Sequence, residues 1–229
     1  MKAVNKAYKR IFFGFIFTMS MAMSAQAQVS FGTDVASRYI WRGIDFGQSL
    51  SFQPSLSVAK GGFELGAWGA YANSGGATNE LDLYLSYTVE LKSGTSLSFG
   101  ATDYYFPASP GQFLDFDTDG NHLIEPFVGI STASFSLTAY MNVLNDPDNS
   151  MYLHASAPFE VDNNEITLHI GVLPYASAWY GTSKAAIQDI GVSVSREIQI
   201  TETFSLPLFS SYIINPYQEV SFLLFGFSL

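Results

Sequence analysis

From Val29 to the last residue, apolar and polar side chains alternate in segments of ten or so residues separated by turn residues. A repeat of two marks β-strands, whose successive side chains point to opposite faces. Twelve strands are predicted, near 29–42, 49–60, 63–73, 80–91, 96–106, 122–131, 134–144, 150–161, 165–176, 186–200, 204–214 and 218–229. In the fourth, Leu81, Leu83, Leu85, Tyr87, Val89 and Leu91 oppose Asp82, Tyr84, Ser86, Thr88 and Glu90. Phe135, Leu137, Ala139, Met141 and Val143 oppose Ser134, Ser136, Thr138, Tyr140 and Asn142 in the same way. The chain ends on Leu223, Phe225, Phe227 and Leu229, all of one parity.

Connections alternate in length. Short ones, at 60–62, 92–95, 132–133, 162–164 and 201–203, interleave with the mostly longer ones at 43–48, 74–79, 107–121, 145–149, 177–185 and 215–217. That asymmetry, with an even strand count, is how transmembrane β-barrels are written. The expected fold is therefore all-β: a closed antiparallel transmembrane barrel of twelve strands, since a spanning sheet must satisfy its own backbone groups. A soluble sandwich packed on its apolar faces shares the periodicity. Against it stand a polar face built mostly of Ser, Thr, Tyr, Gly and Asn, and only 13% charged residues. Aromatic residues near strand ends (Tyr39, Trp41, Tyr104 to Phe106, Trp179, Tyr180, Tyr212, Tyr217) are expected to form interfacial girdles.

Composition adds a compartment. Lys2, Lys6, Lys9 and Arg10 precede the apolar stretch 11–23 and Ala25-Gln26-Ala27, the three parts of a secretory signal peptide. The stretch is short for a spanning anchor. Residues 1–27 are therefore expected to be cleaved, leaving 28–229 as one barrel domain in the outer membrane of a Gram-negative-type bacterium, with membrane lipid and the insertion machinery as partners. All 20 acidic residues but only six of ten basic ones remain, a formal charge of −14, which argues against nucleic acid. There is no cysteine, so stability must come from closure and burial.

Candidate chemistry follows from the inward parity. Asp34, Arg38 and Arg42 share it in the first strand, where Arg38 and Arg42 form a basic strip orienting a solute, or instead a filling salt-bridge network with Asp82, Glu64 or Glu90. The other expected pore-lining residues are Glu64, Trp68, Asp82, Tyr84, Glu90, Tyr140, Tyr152, His154, His169, Asp189 and Glu197, a net negative set that favours cations or neutral solutes. Asp115-x-Asp117-x-Asp119-Gly120 opens like a calcium loop, but Pro126 stands at its twelfth position, leaving Asp115, Asp117, Asp119 and Glu125 as candidate ligands. Its loop, 107–121, could fold inward and narrow the mouth. Pairing Val161 with Ile166 sets His169 four positions from His154, too far for a dyad, and no catalytic residue is assigned.

Ser37-Arg38-Tyr39-Ile40-Trp41-Arg42-Gly43-Ile44, Gln53-Pro54-Ser55, Gly61-Gly62-Phe63-Glu64-Leu65-Gly66-Ala67-Trp68 and Glu80-Leu81-Asp82-Leu83-Tyr84 carry a family likeness. In these the chain resembles the TorF-type porin family of exported proteins. The resemblance implies an outer-membrane barrel and a channel; where that family favours a terminal aromatic, this chain has Leu229. The expected function is passive diffusion of small hydrophilic solutes, and the alternatives are a lipid-modifying barrel enzyme or a structural or adhesive barrel acting through its outer loops.

Overall fold

A computed structural model describes residues 27–73, 79–92, 94–107, 112–117 and 120–229. The signal-peptide expectation thus falls almost wholly outside the described residues. Ten residues per strand, alternation and tight turns yield β1 (Gln28–Ala36), a short hairpin of β2 (Ile40–Trp41) and β3 (Ile44–Asp45), then β4 (Ser51–Lys60), β5 (Phe63–Ala72), β6 (Glu80–Glu90) and β7 (Ser96–Tyr105). The remaining strands are β8 (His122–Thr132), β9 (Phe135–Met141), β10 (Met151–Val161), β11 (Asn164–Leu173), β12 (Ala186–Thr201), β13 (Phe204–Asn215) and β14 (Val220–Ser228). All but β2 and β3 form one closed antiparallel barrel of twelve strands, each paired with its sequence neighbour and β1 paired with β14.

Parity decides the faces as the alternation predicts, and the apolar side is the outer one. Phe31, Phe52, Leu56, Phe99, Val128, Leu137, Leu168, Leu223 and Phe225 are exposed, Phe31 at 88%. A sandwich would bury them, so that alternative is discarded. Inside, large and small residues interlock across strands. Tyr84 lies over Gly66, Phe127 over Gly100, His169 over Gly191 and Phe209 over Gly226; a methyl group on any of these glycines would strike the ring. Small luminal residues let aromatic rings lie flat against the wall, the device that covers glycine in sheets generally.

The interior is uneven from end to end. Nearly all buried side chains (Glu80, Tyr104, Glu125, Asn142, Ser150, Tyr152, Leu173, Gln188, Asp189 and Asn215) lie toward the end with the long connections. Toward the short turns the inward positions are mainly serine and threonine, paired as in Ser136–Ser156 (2.7 Å) and Ser211–Ser193 (2.8 Å). The closing seam is the shortest: Asp34, Val35 and Ala36 face Ser228, Phe227 and Gly226, and Thr33 exchanges two backbone bonds with Leu229 (3.0 and 2.9 Å).

Two expectations need correction. The first strand does not run to residue 42: β1 ends at Ala36, and the chain turns into the lumen. Residues 37–50 leave the wall because their polar backbone finds partners across the lumen. The second concerns β10 and β11, joined by a two-residue turn with positive φ at Asp162 (49°) and Asn163 (63°), the conformation that suits a twisted hairpin. Val161 therefore faces Asn164, and Ser156, not Pro158, faces His169. A turn of two residues, where the expected pairing leaves four, brings the two histidine rings to 5.8 Å.

Gly100 tests the interlocking. A Cβ there would lie 2.2 Å from the Leu85 carbonyl and 2.7 Å from the Phe127 ring. Gly100→Val should lower stability by about 1–3 kcal/mol, read as a lower midpoint of urea unfolding in detergent. An unchanged midpoint would contradict the packing described.

Candidate functional site: a hairpin across the lumen

The segment after β1 is folded by its own short-range chemistry. Asp45 accepts bonds from the backbone N–H groups of Gly47 (3.1 Å) and Gln48 (3.0 Å), and pairs with Arg38 at 3.0 Å. Such side-chain-to-backbone bonds stabilise a turn locally. Phe46 N–H donates to Tyr39 O at 2.9 Å, so β2 and β3 form a minimal hairpin whose tip is Arg42-Gly43, both with positive φ (48° and 72°). The tip needs glycine: a Cβ at Gly43 would sit 2.9 Å from Gln188 O and 3.0 Å from Asp189 Cβ.

From β1 the tip reaches across the lumen. The Arg42 guanidinium makes a bidentate pair with Glu125 on β8 (both bonds 2.7 Å) and donates to the Tyr180 hydroxyl at 2.5 Å. Its carbon lies 4.4, 4.3 and 4.3 Å from the ring centroids of Trp41, Tyr140 and Tyr152, within cation–π range. Glu125 also accepts from Tyr104 at 2.9 Å. The backbone of the tip is tied to the opposite wall, Gln188 donating to Arg42 O and Asn215 to Gly43 O, each at 3.2 Å. Trp41 stacks on Tyr180, planes 8° apart.

The charges here are deeply placed, the side chains of Arg42 and Glu125 being 9% and 2% exposed. Burial alone disfavours the guanidinium charge, but the facing Tyr180 and Glu125 outweigh it and hold the Arg42 pKa above its usual value. The hairpin root is fixed separately: Tyr39 donates to Glu80 at 3.3 Å and packs on Trp68 at 5.3 Å. Burial, then the negative Glu80 and Asp82, raise the Tyr39 pKa well above normal, so its hydroxyl stays a donor.

Most expected pore-lining residues do point inward, but they divide into two groups. Arg42, Trp68, Asp82, Tyr140 and Asp189 pack around the hairpin or the wall it meets, with Glu80, Tyr104, Glu125, Tyr180, Gln188 and Asn215, which the sequence reading did not assign to the lumen. Tyr152 donates to Asp189 (2.8 Å), and His169 pairs with Asp189 (3.1 Å) beside His154. Asp34, Glu64, Tyr84, Glu90 and Glu197 belong to the other half, where Tyr84 donates to Glu64 at 3.1 Å and Ser96 to Glu90 at 2.7 Å. Glu165 joins them through Ser195. A recess of about 520 Å³ opens there between Gln28, Lys60, Glu64, Ser86 and Thr88.

Several residues occupy places other than those expected. Arg38 and Arg42 stand on the hairpin instead of on a strand, and their partners are Asp45 and Glu125 instead of Asp82, Glu64 or Glu90. Tyr39, Trp41, Tyr104 and Tyr180 fill the lumen instead of girdling the barrel, because they pack with Arg42 and with one another. Glu125 cannot close a calcium loop, since both its oxygens are taken inside the barrel. Asp115 accepts from Asp117 N–H (3.3 Å), and Asp119 lies outside the described residues. Among the described residues no cluster of three or more His, Asp or Glu side chains is poised to hold a metal. The 107–121 loop does not fold inward over its described part: His122 and Phe113 meet on the outer side of the wall.

The model of a family described as "Bacterial protein of unknown function (Gcw_chp)" matches residues 21–207. The chain belongs to that family. None of the curated proteins matches it. A solved structure from work described as "Unveiling the Mechanism Behind the in-meso Crystallization of Membrane Proteins" is similar with a TM-score of 0.52 at 8% identity, over 87% of this chain and 82% of that one. That likeness is one of fold. The twelve-stranded barrel of this Gcw_chp member is compatible with an outer-membrane protein.

The buried pair makes a sharp prediction. Arg42→Met strands the Glu125 carboxylate and should cost about 3–5 kcal/mol, whereas Arg42→Met with Glu125→Leu should recover most of the loss. Unfolding midpoints of the two single variants and the double variant in detergent check it; equal midpoints for Arg42→Met and the wild type would show that the pair does not hold the hairpin.

Proposed function

We propose that this Gcw_chp protein is an outer-membrane channel of the TorF porin type, passing small cations or neutral hydrophilic solutes through a lumen restricted by its β2–β3 hairpin. The observation that carries this reading is the contrast between faces. Outside, a continuous apolar surface suits hydrocarbon, where each unsatisfied backbone group is costly and a closed sheet leaves few. Inside, hydroxyls and carboxylates line a space toward the short turns, with Glu64, Glu90, Glu165 and Glu197 inward and Lys60 at the rim beside Glu64. Fixed negative charge in a narrow, low-dielectric opening attracts cations and repels anions.

The hairpin sets the second property. It crosses the end with the long connections, which in an outer-membrane orientation is the external end. Arg42 is neutralised by Glu125, so the constriction does not add a free positive charge to the path. Solute must pass beside the hairpin or wait for it to move, and small unitary currents follow. The lipid-modifying alternative draws less support: His169 bonds to Asp189, but among the described residues no hydroxyl hydrogen-bonds to its other ring nitrogen.

Planar-bilayer recordings of purified protein should give small cation-selective currents. Glu64→Gln with Glu90→Gln and Glu197→Gln should shift the reversal potential in a salt gradient toward zero, and deletion of residues 38–48 should raise unitary conductance. Silence over many insertions, in wild type and deletion alike, would refute the channel.

A further inference from the structure

The described part of the long loop after β7 folds onto the outside of the wall. On β7 and β8 the outward parity that carries Leu97, Phe99, Val128 and Ile130 also carries Asp103, Tyr105 and His122. His122 is buried, although it lies on that side, because the loop covers it. Its Nδ1 lies 2.9 and 3.0 Å from the two Asp103 oxygens, and its Nε2 lies 2.7 Å from the Phe113 carbonyl. The ring is sandwiched between Tyr105 (4.8 Å) and Phe116 (4.1 Å). The His122 ring thus fastens the loop to the barrel exterior, where Phe113 also meets Tyr105 edge-on at 5.2 Å.

Below this fastening runs an apolar groove of about 520 Å³ on the outer surface of β4 to β8. Leu56, Leu65, Leu83 and Leu85 form its sides, Ala67 and Ala101 leave its floor low, and Phe116 closes the loop end next to Asp103. A barrel wall of evenly sized side chains offers lipid only a corrugated face. Here the two alanines and the aromatic roof make a concave slot of the size range of small-ligand sites.

We propose that this roofed groove binds the hydrocarbon chain of a single membrane lipid, held there longer than the lipids that surround the rest of the wall. The inference rests on the outer-membrane reading. The occupant follows from the lining. Its side chains are almost all carbon, so an extended peptide laid there would bring backbone N–H and C=O groups with nothing to bond, at a cost of a few kcal/mol each. A hydrocarbon chain brings none. The groove opens toward the surroundings that the exposed Phe99, Val128 and Leu56 share, and Asp103 is the one acidic side chain of its lining, at the end that Phe116 roofs.

The test uses the full mature chain in nanodiscs of palmitoyl-oleoyl phosphatidylethanolamine, released and weighed by native mass spectrometry under rising collision energy. The wild type should keep one lipid after the others are stripped. Ala101→Phe, which fills the floor from the outer face, should lower that retention roughly tenfold, and Phe116→Ala should lower it as well. Ala157→Phe, an outward alanine on β10 opposite Leu168, should leave it unchanged. No retained lipid in the wild type, equal retention in Ala101→Phe, or a dimer mass abolished by Ala101→Phe would overturn the proposal, the last in favour of a second copy as occupant. A chain that enters nanodiscs and conducts but keeps no lipid refutes this inference alone. One that will not enter nanodiscs refutes the membrane reading beneath it.

Discussion

The constraint on which everything else depends is that a sheet with one apolar and one polar face must close on itself if the apolar face is to be the outer one. An open sheet would leave two edges of unpaired N–H and C=O groups, and in a hydrocarbon setting neither water nor side chains can satisfy them. Closure here is made by the shortest seam in the wall, β1 against β14, where the last residue, Leu229, bonds on both sides of Thr33. The C-terminal strand is therefore part of the closing element, and its outward Leu223, Phe225 and Phe227 continue the apolar band around the join.

Closure creates an interior that must be filled or wetted, and the protein does both. Toward the short turns, small hydroxyl side chains keep their bonds with one another and leave space. Toward the long connections, fourteen residues between β1 and β4 leave the wall and cross the lumen. That excursion is possible because every polar feature at its tip meets a partner: the guanidinium meets Glu125 and Tyr180, and two carbonyls meet Gln188 and Asn215. A buried ion pair gives little net stability compared with apolar packing, but breaking one is costly. Its effect here is positional: Arg42 can sit in only one place, and with it the hairpin. The aromatic rings around it exclude water and so strengthen the pair.

The twelve strands were legible because a period of two repeated over ten residues has one structural meaning, and strand bounds agree with the alternation to within a few residues except at the first strand. The misplaced elements show what pattern cannot carry. Asp34, Arg38 and Arg42 hold an inward parity whether the chain continues as strand or turns inward at Ser37, so parity alone extended β1 six residues too far. Glu125 was visible as an acid after a calcium-like loop, yet its true partner is 83 positions away in sequence. His154 and His169 were held apart by an expected pairing displaced by two residues, a slip that keeps every side chain on its face but changes every cross-strand neighbour.

By itself, then, the sequence determined the strand count, the faces of the strands, the alternation of connection lengths and the acidic, hydroxyl-rich character of the interior, because these are written in nearest-neighbour spacing. Only the tertiary structure decided that the segment after Ala36 crosses the lumen, that Arg42 belongs to Glu125, and that His122 fastens a loop to the outside of the wall. The physical reason is range. Alternation is a property of consecutive residues, whereas the partner of a buried charge is chosen by which distant side chains the closed barrel brings within hydrogen-bonding distance.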